Sequence, residues 1–235
     1  MPETRFIVHL GFPKTASTSL QFNLFAKLEK TEGARLETWR KDDAMEHHDL
    51  RPSSRLFLGK ELLSRHSEVA RGVLNILSDE SFTAPLRLRR NNFGIEARDP
   101  ISFPQQISDQ VLNGAPPGTN LECLIVLRAQ SDLIYSQYVE EYKLKTYRGV
   151  DILFEKKGPM SLEGYEIYNF GRYFLELSRV FGVTNVHVLF FEDLIYAPED
   201  FCRPLAALLG TDADLVRSAL SSNPRNKKSA SLMAM

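Results

Sequence analysis

Short apolar runs alternate along this chain with longer amphipathic stretches. Phe6-Ile7-Val8-His9-Leu10 is apolar and β-prone, and Gly11 and Pro13 break it, which predicts a strand over 5–10. Leu20 then leads a helical pattern, predicting a helix over 17–30. After a polar segment to about residue 54 come a short apolar run, Leu56-Phe57-Leu58, a helix around 60–71 and a strand near 73–78. Residues 84–100 are rich in Arg, Asn and Gly and read as loop. A helix around 103–113 precedes the turn Gly114-Ala115-Pro116-Pro117-Gly118. The nearly continuous apolar run from Leu121 to Leu127 predicts a central, buried parallel strand. A helix over 131–145 follows, then a polar, Gly- and Pro-bearing flap over 146–160. Tyr165, Tyr168, Phe170, Tyr173, Phe174, Leu177 and Phe181 give 162–181 a strongly amphipathic pattern. A strand over 186–191 and a helix over 198–209 close the order.

Strands alternating with helices predict an α/β fold: a parallel β-sheet flanked by helices on both faces. Ligands in such folds bind beyond the carboxyl ends of the strands. Two cations stand at such ends. Lys14 follows the first strand and Arg128 follows the strand 121–127, so both can reach one crevice. No internal repeat or low-complexity tract interrupts the order. The 235 residues, 43% of them apolar, suffice for one domain with a sizeable core.

The loop after the first strand carries the most chemistry. Lys14 is followed by five small residues, Thr15-Ala16-Ser17-Thr18-Ser19, before the helix. Small residues let backbone N–H groups and hydroxyls crowd around an anion at a helix start, where the dipole is positive. Gly11 is free to take backbone angles closed to other residues. The Walker A pattern needs Gly, four residues, then Gly-Lys-Ser/Thr. Here two residues separate Gly11 from Lys14-Thr15, and there is no second glycine. At the other strand end, the Arg128 fork and the Ser136 hydroxyl eight residues later suit a phosphate monoester. Each feature also has an ordinary reading: a βα turn with a solvated lysine, a strand-ending arginine, a serine on a helix surface.

Together the two segments resemble the nucleotide-binding motifs of sulfotransferases that use 3′-phosphoadenosine-5′-phosphosulfate (PAPS). The family's 5′-phosphosulfate loop reads approximately Pro-Lys-Ser/Thr-Gly-Thr-Thr. Pro13-Lys14-Thr15-Ala16-Ser17-Thr18 is similar to it, with Ala16 in place of Gly, where a methyl group is expected to narrow the loop slightly. In the family an Arg at a strand end and a Ser eight residues later bind the 3′-phosphate, a spacing that Arg128 and Ser136 match. A third segment, VHVLFFEDLIYAPEDFCRPLAALLG over 186–210, resembles the family's strand, Glu-Asp-Leu, Pro and helix ending in Leu-Gly. Glu192 and Asp193 read there as capping or turn residues.

The resemblance implies a P-loop-NTPase-like sulfotransferase fold, with PAPS as co-substrate and adenosine 3′,5′-bisphosphate (PAP) as product. No metal is expected, because a migrating sulfuryl group has fewer charges to neutralise than a phosphoryl group. It implies that Lys14, Thr15, Ala16, Ser17, Thr18 and Ser19 hold the 5′ end, with Lys14 stabilising the leaving phosphate. A basic C-terminal loop closes over the 3′-phosphate in the family. Arg225, Lys227 and Lys228 stand in that place, without the Arg-Lys-Gly pattern of the soluble steroid and phenol enzymes. The family's strand at the place of ILSDESF (76–82) delivers a catalytic His or Glu, which makes Glu80 the expected base. If Glu80 faces the crevice, alternation in an extended chain turns Asp79 away. The other role open to Glu80 is a turn carboxylate paired with Arg87 or Lys60. Ser19 occupies the place of the Trp often found near the family's loop, and the sole Trp39 lies elsewhere.

On this reading residues 1–235 form a single sulfotransferase domain, with substrate-facing insertions near 31–54, 84–118 and 146–160. The expected reaction moves a sulfuryl group from PAPS to a hydroxyl of a small-molecule or glycan acceptor, a carbohydrate or glycolipid being favoured. The rivals are a P-loop nucleotide kinase and a non-catalytic nucleotide-binding protein on the same fold. His9 reads as a packed core residue. His47, His48 and Asp49 read as a solvated loop, and Arg87, Arg89, Arg90 and Arg98 either face an anionic acceptor or, the favoured reading, are solvated cations. A formal charge of −1 makes the chain no general trap for nucleic acid. Cys123 and Cys202 fall in apolar surroundings, which fits a reducing compartment. No long uncharged apolar run and no signal-peptide pattern follow MPETRF, so a cytoplasmic location is expected.

Overall fold

Alternation within the apolar runs decides how the core is divided. Phe6, Val8 and Leu10 point to one face of the first strand and Ile7 to the other, and every one of them is buried. Leu121, Cys123 and Ile125 join the first set, Leu124 and Val126 the second. A strand covered on both sides has no polar face to show, which is why these runs read as continuous. The computed structural model describes residues 4–12, 14–38, 52–57, 61–63, 69–83, 100–143 and 168–221. Its five strands are β1 (Arg5–His9), β2 (Arg35–Thr38), β3 (Leu74–Ser78), β4 (Asn120–Leu127) and β5 (Val186–Phe190). They form one all-parallel sheet in the order β2-β3-β1-β4-β5.

The first helical stretch is continuous but changes pitch. It runs through α1 (Ser17–Ser19), a π turn (Leu20–Phe25) and α2 (Ala26–Glu32), which ends at Gly33 in the left-handed region. The wider π turn carries the polar Gln21 inward beside Leu20, Leu24 and Phe25, all buried. In chain order the other helices are α3 (Pro52–Phe57), α4 (Phe103–Gly114), α5 (Gln130–Lys143), α6 (Phe170–Phe181), α7 (Phe191–Tyr196), α8 (Pro198–Leu209) and α9 (Ala213–Ser221). Leu56 of α3, Phe103, Ile107 and Val111 of α4, and Tyr173, Leu177 and Phe181 of α6 cover one face of the sheet. The π turn, α8 and α9 cover the other, with Phe201, Leu205 and Val216 fully buried. Each fully buried side chain of this size contributes roughly 1.5–3 kcal/mol.

Several expectations shift. β2 lies in the segment read as polar, because Arg35-Leu36-Glu37-Thr38 is a short edge strand with one apolar residue. Helix occurs before residue 58, where α3 takes in Leu56; of the helix expected around 60–71, the described residues 61–63 and 69–71 are not helical, and 60 and 64–68 lie outside the described residues. Phe191 starts α7 instead of ending the last strand, and α9 follows where no helix was read. Within the expected insertions, β2 belongs to the sheet and α4 to the core; 39–51, 84–99 and 144–167 lie outside the described residues. Among the described residues no helix is long and apolar enough to cross a membrane.

Candidate active site

Adjacent parallel strands β1 and β4 set the site. Val8 stands opposite Cys123 and His9 opposite Leu124, and the Leu10 amide extends the ladder to the Leu124 carbonyl at 3.0 Å. The chain leaves β3 on one side of β1 and returns as β4 on the other. Such a change of direction opens a crevice at the carboxyl ends. Lys14 and Arg128 both follow those ends.

The loop after β1 is held from below by Phe12. That ring is fully buried and packs against Tyr168 at 5.8 Å, Phe170 at 5.3 Å and Tyr173 at 6.0 Å between centroids. Such aromatic contacts fix a loop more firmly than area alone. Beyond it Lys14 has φ of 68° and Ala16 φ of 63°, both left-handed, with Thr15 between them outside that region. Alternation of this kind turns successive N–H groups toward one concavity, a nest suited to an anion. It also strains any residue with a Cβ. The Ala16 methyl thus also matters through backbone conformation. Gly11 differs from expectation. Its φ is not positive. A Cβ there would lie 2.4 Å from Ser17 Oγ and 2.8 Å from His9 Cε1, so the glycine is needed for close approach.

The hydroxyls of the loop are not alike. Thr15 and Ser17 are buried and donate to the Phe12 carbonyl at 2.6 and 3.0 Å. Ser19 is buried, Lys14 and Ala16 are half-buried, and Thr18 is exposed. The Leu20 amide donates to the Ala16 carbonyl at 3.0 Å, the first turn of the helix.

Arg128 joins the two strand ends. Its Nη1 donates to the Lys14 carbonyl at 3.3 Å, and its guanidinium lies over the Phe191 ring, 4.9 Å from the centroid. Arg128 is 7% exposed, and its Nε has no partner among the described residues. A buried, under-satisfied guanidinium is a ready donor to an anion. Ser136 is half-buried on α5, the seventh residue of that helix and so nearly two turns in. It does not line the open cleft of about 490 Å³ beside Arg128, whose walls include Gln130, Asn169, Phe170, Phe190 and Glu192. Glu192 accepts from the Ala129 amide at 3.0 Å, and Gln130 donates to the Tyr168 carbonyl at 2.6 Å. Glu192 therefore holds the start of α5, a capping role.

Glu80 lies in a turn whose Thr83 meets the base of the loop after β1. It opens a 3₁₀ turn, Glu80–Phe82, capped by Asp79, whose Oδ1 accepts from the Ser81 amide at 2.8 Å. Asp79 Oδ2 accepts from the Ser53 amide at 3.0 Å, so this buried carboxylate holds backbone on both sides. Glu80 is half-buried. The Thr83 hydroxyl bonds the Gly11 carbonyl at 2.8 Å and lies 3.2 Å from the Glu80 carbonyl, which stitches this turn to the base of the cradle. Both Asp79 oxygens are thus engaged by backbone amides, of Ser81 and Ser53.

No family model matches the chain, and no curated protein matches it in sequence. Among solved structures it is similar to a sulfotransferase from Alicyclobacillus acidocaldarius, 18% identical with a TM-score of 0.49, over 91% of this chain and 83% of that one. It is also similar to the sulfotransferase domain from the curacin biosynthetic pathway, 13% identical with a TM-score of 0.38, over 90% and 75%. Polyphosphate kinase 2 from Arthrobacter aurescens TC1 is 9% identical with a TM-score of 0.39, over 99% and 77%. Sulfotransferases and kinases stand together here, and likenesses this distant say nothing of the reaction.

Arg225, Lys227 and Lys228, with Pro13, lie outside the described residues. His47, His48, Trp39 and the cations of 84–99 do too. Among the described residues no group of three or more His, Cys, Asp or Glu side chains is placed to hold a metal. Sequence reasoning missed the Arg128 bond to the Lys14 carbonyl, and no pattern in the chain announces a contact across 114 residues. It also missed the polar network around His9. The signal for that was present: a histidine, a glutamine and a serine in otherwise apolar surroundings at His9, Gln21 and Ser78.

Proposed function

We propose that this chain is a PAPS-dependent sulfotransferase, one domain over 1–235, acting on an acceptor hydroxyl, with a carbohydrate or glycolipid favoured. The observation that carries this reading is the Arg128 guanidinium bonded to the Lys14 carbonyl at 3.3 Å. It ties the peptide of one proposed anchor, Lys14, to the guanidinium of the other, Arg128, at the neighbouring strand end. A nucleotide with an anion at its 5′ end and another at its 3′ position asks for two such anchors. In the proposed reaction the acceptor oxygen attacks sulfur in line with the bridging oxygen of the 5′-phosphosulfate. The new O–S bond forms as the old one breaks, and the electron pair leaves on the 5′-phosphate of PAP. Lys14 and the nest of N–H groups stabilise that charge. The acceptor's hydroxyl proton passes to the Glu80 carboxylate. Thr15, Ala16, Ser17, Thr18 and Ser19 frame the 5′ end, Arg128 and Ser136 serve the 3′-phosphate, and Arg225, Lys227 and Lys228 close over it. The left-handed loop without a Walker A glycine favours this over a kinase.

Thermal unfolding with PAP and, separately, with ATP and Mg²⁺ tests it. PAP at a hundredfold excess over its Kd stabilises by about 2.7 kcal/mol and raises the Tm accordingly. ATP with Mg²⁺ gives a small shift or none; an equal or larger one favours the kinase. Glu80→Gln keeps the PAP shift and loses sulfuryl transfer, and undiminished transfer removes Glu80 as the base.

A further inference from the structure

A buried polar chain runs beneath the cradle. Gln21, on the π turn, donates through Nε2 to Ser78 Oγ at 3.1 Å. The same oxygen lies 2.7 Å from His9 Nδ1. All three side chains are buried, His9 and Ser78 completely. An amide NH₂ only donates, so Ser78 accepts from Gln21; its own proton has no acceptor but His9 Nδ1 among the described residues, and giving it there leaves no buried hydroxyl proton unpaired. That sets His9 in the tautomer with its proton on Nε2. Burial holds the imidazole neutral, its pKa lowered to about 3, so this arrangement persists at neutral pH.

His9 Nε2 is buried and has no partner among the described residues. Its surroundings give it a purpose. A Cβ on Gly11 would lie 3.0 Å from Nε2 and 2.4 Å from Ser17 Oγ, so both atoms crowd the same side of Gly11 under the loop. The Ser17 hydroxyl faces inward, donating to the Phe12 carbonyl. That carbonyl also accepts from Thr15 at 2.6 Å, and so keeps a partner when Ser17 turns.

We propose that His9 is a positioning residue of the cradle, whose Nε2–H takes the Ser17 oxygen as its acceptor when an anion binds, freeing the Ser17 proton to point at that anion. The inference rests on reading the Lys14 loop as an anion cradle. Every proton stays on its atom; only hydrogen-bond partners change. A neutral donor adds direction without adding charge, and the glycine at 11 leaves the space in which Ser17 rotates.

NMR of the full chain with ¹⁵N-labelled histidine at pH 7 tests this, titrated with PAP and separately with inorganic sulfate. The free protein shows His9 as the Nε2–H tautomer. Anion binding moves the Hε2 signal downfield and slows its exchange with water. In Ser17→Ala, titrated until the loop amides stop moving, the His9 signal stays in place. An Nδ1–H tautomer, or a His9 signal unmoved while the loop amides respond, overturns the proposal. So does a full shift in Ser17→Ala. Sulfate moving His9 with no PAP binding leaves the proposal standing and removes the nucleotide reading. A PAP complex with His9 unmoved does the reverse, and silence with both anions overturns both.

Discussion

At the scale of single residues, the cradle stores strain where a glycine would relieve it. Ala16 sits at φ 63° with a Cβ. The left-handed conformation costs an L-residue roughly 1–2 kcal/mol. Glycine removes that penalty but returns roughly 0.4–1 kcal/mol through a freer unfolded chain. Ala16→Gly is therefore expected to raise stability by up to about 1 kcal/mol. The check is urea unfolding: the midpoint rises at unchanged slope. A lower midpoint means that the loop is not strained at this residue. The sequence showed which residue departs from the glycine pattern. It did not show why this matters, since φ is a property of the folded turn. Gly11 carries the same lesson in reverse, being identifiable as special in the chain but special for contact with Ser17 and His9 rather than for its own dihedrals.

Elements were legible where their pattern was long and one-sided. The strand over 121–127 and the helices over 103–113 and 198–209 stand within a residue of the places their apolar spacing predicts. Short polar elements were not, because β2 has one apolar residue and depends on its neighbour for pairing. The charged residue inside β4 was also passed over. Glu122 accepts from Arg5 at 2.7 and 3.0 Å and meets His187 Nε2 at 2.9 Å, linking β4 to β1 and β5. Arg5 also donates to the Leu208 carbonyl of α8 at 2.6 Å. One carboxylate thus ties three strands and a helix, and alternation alone cannot reveal a cluster assembled from 5, 122 and 187. Removing one member of a buried ion pair costs about 3–5 kcal/mol. The Arg5 and His187 side chains are 29% and 33% exposed, so water screens part of this. Glu122→Ala is expected to lose about 2 kcal/mol, read from chemical denaturation, with the anion cradle at the opposite ends of the strands unaffected in ligand affinity. A loss below about 0.5 kcal/mol means that the cluster is no more than a surface pair.

For the whole molecule, the same buried groups link stability to pH and one ligand subsite to another. His9 titrates at about 3 in the folded chain against an ordinary value of 6.5. Between those values the unfolded chain takes up a proton that the native protein refuses. The contribution is complete above pH 6.5 and falls as pH drops, by about 1.4 kcal/mol per unit well below that point. Stability measured from pH 7 to 4 should fall less steeply in His9→Gln than in the parent; parallel curves mean that His9 already accepts the proton when folded. Arg128 supplies the second link. On the resemblance alone it serves a 3′-phosphate, and its loss would leave binding of a 3′-dephosphorylated nucleotide little changed. The bond to the Lys14 carbonyl changes that expectation, because the same guanidinium braces the peptide that shapes the proposed 5′ subsite. Arg128→Ala should therefore weaken PAP by at least about fortyfold, as expected for loss of a charged hydrogen-bonding partner worth roughly 1.5–3 kcal/mol together with its bracing of the loop. Adenosine 5′-phosphosulfate, which lacks the 3′-phosphate, should lose a smaller but measurable part, about threefold to tenfold, because only the bracing is removed. Calorimetric titration of both ligands separates the terms. Equal losses make Arg128 a structural brace and nothing more, whereas an unchanged affinity for the 5′-phosphosulfate means that the two strand ends bind independently and the 3.3 Å bond has no part in shaping the cradle.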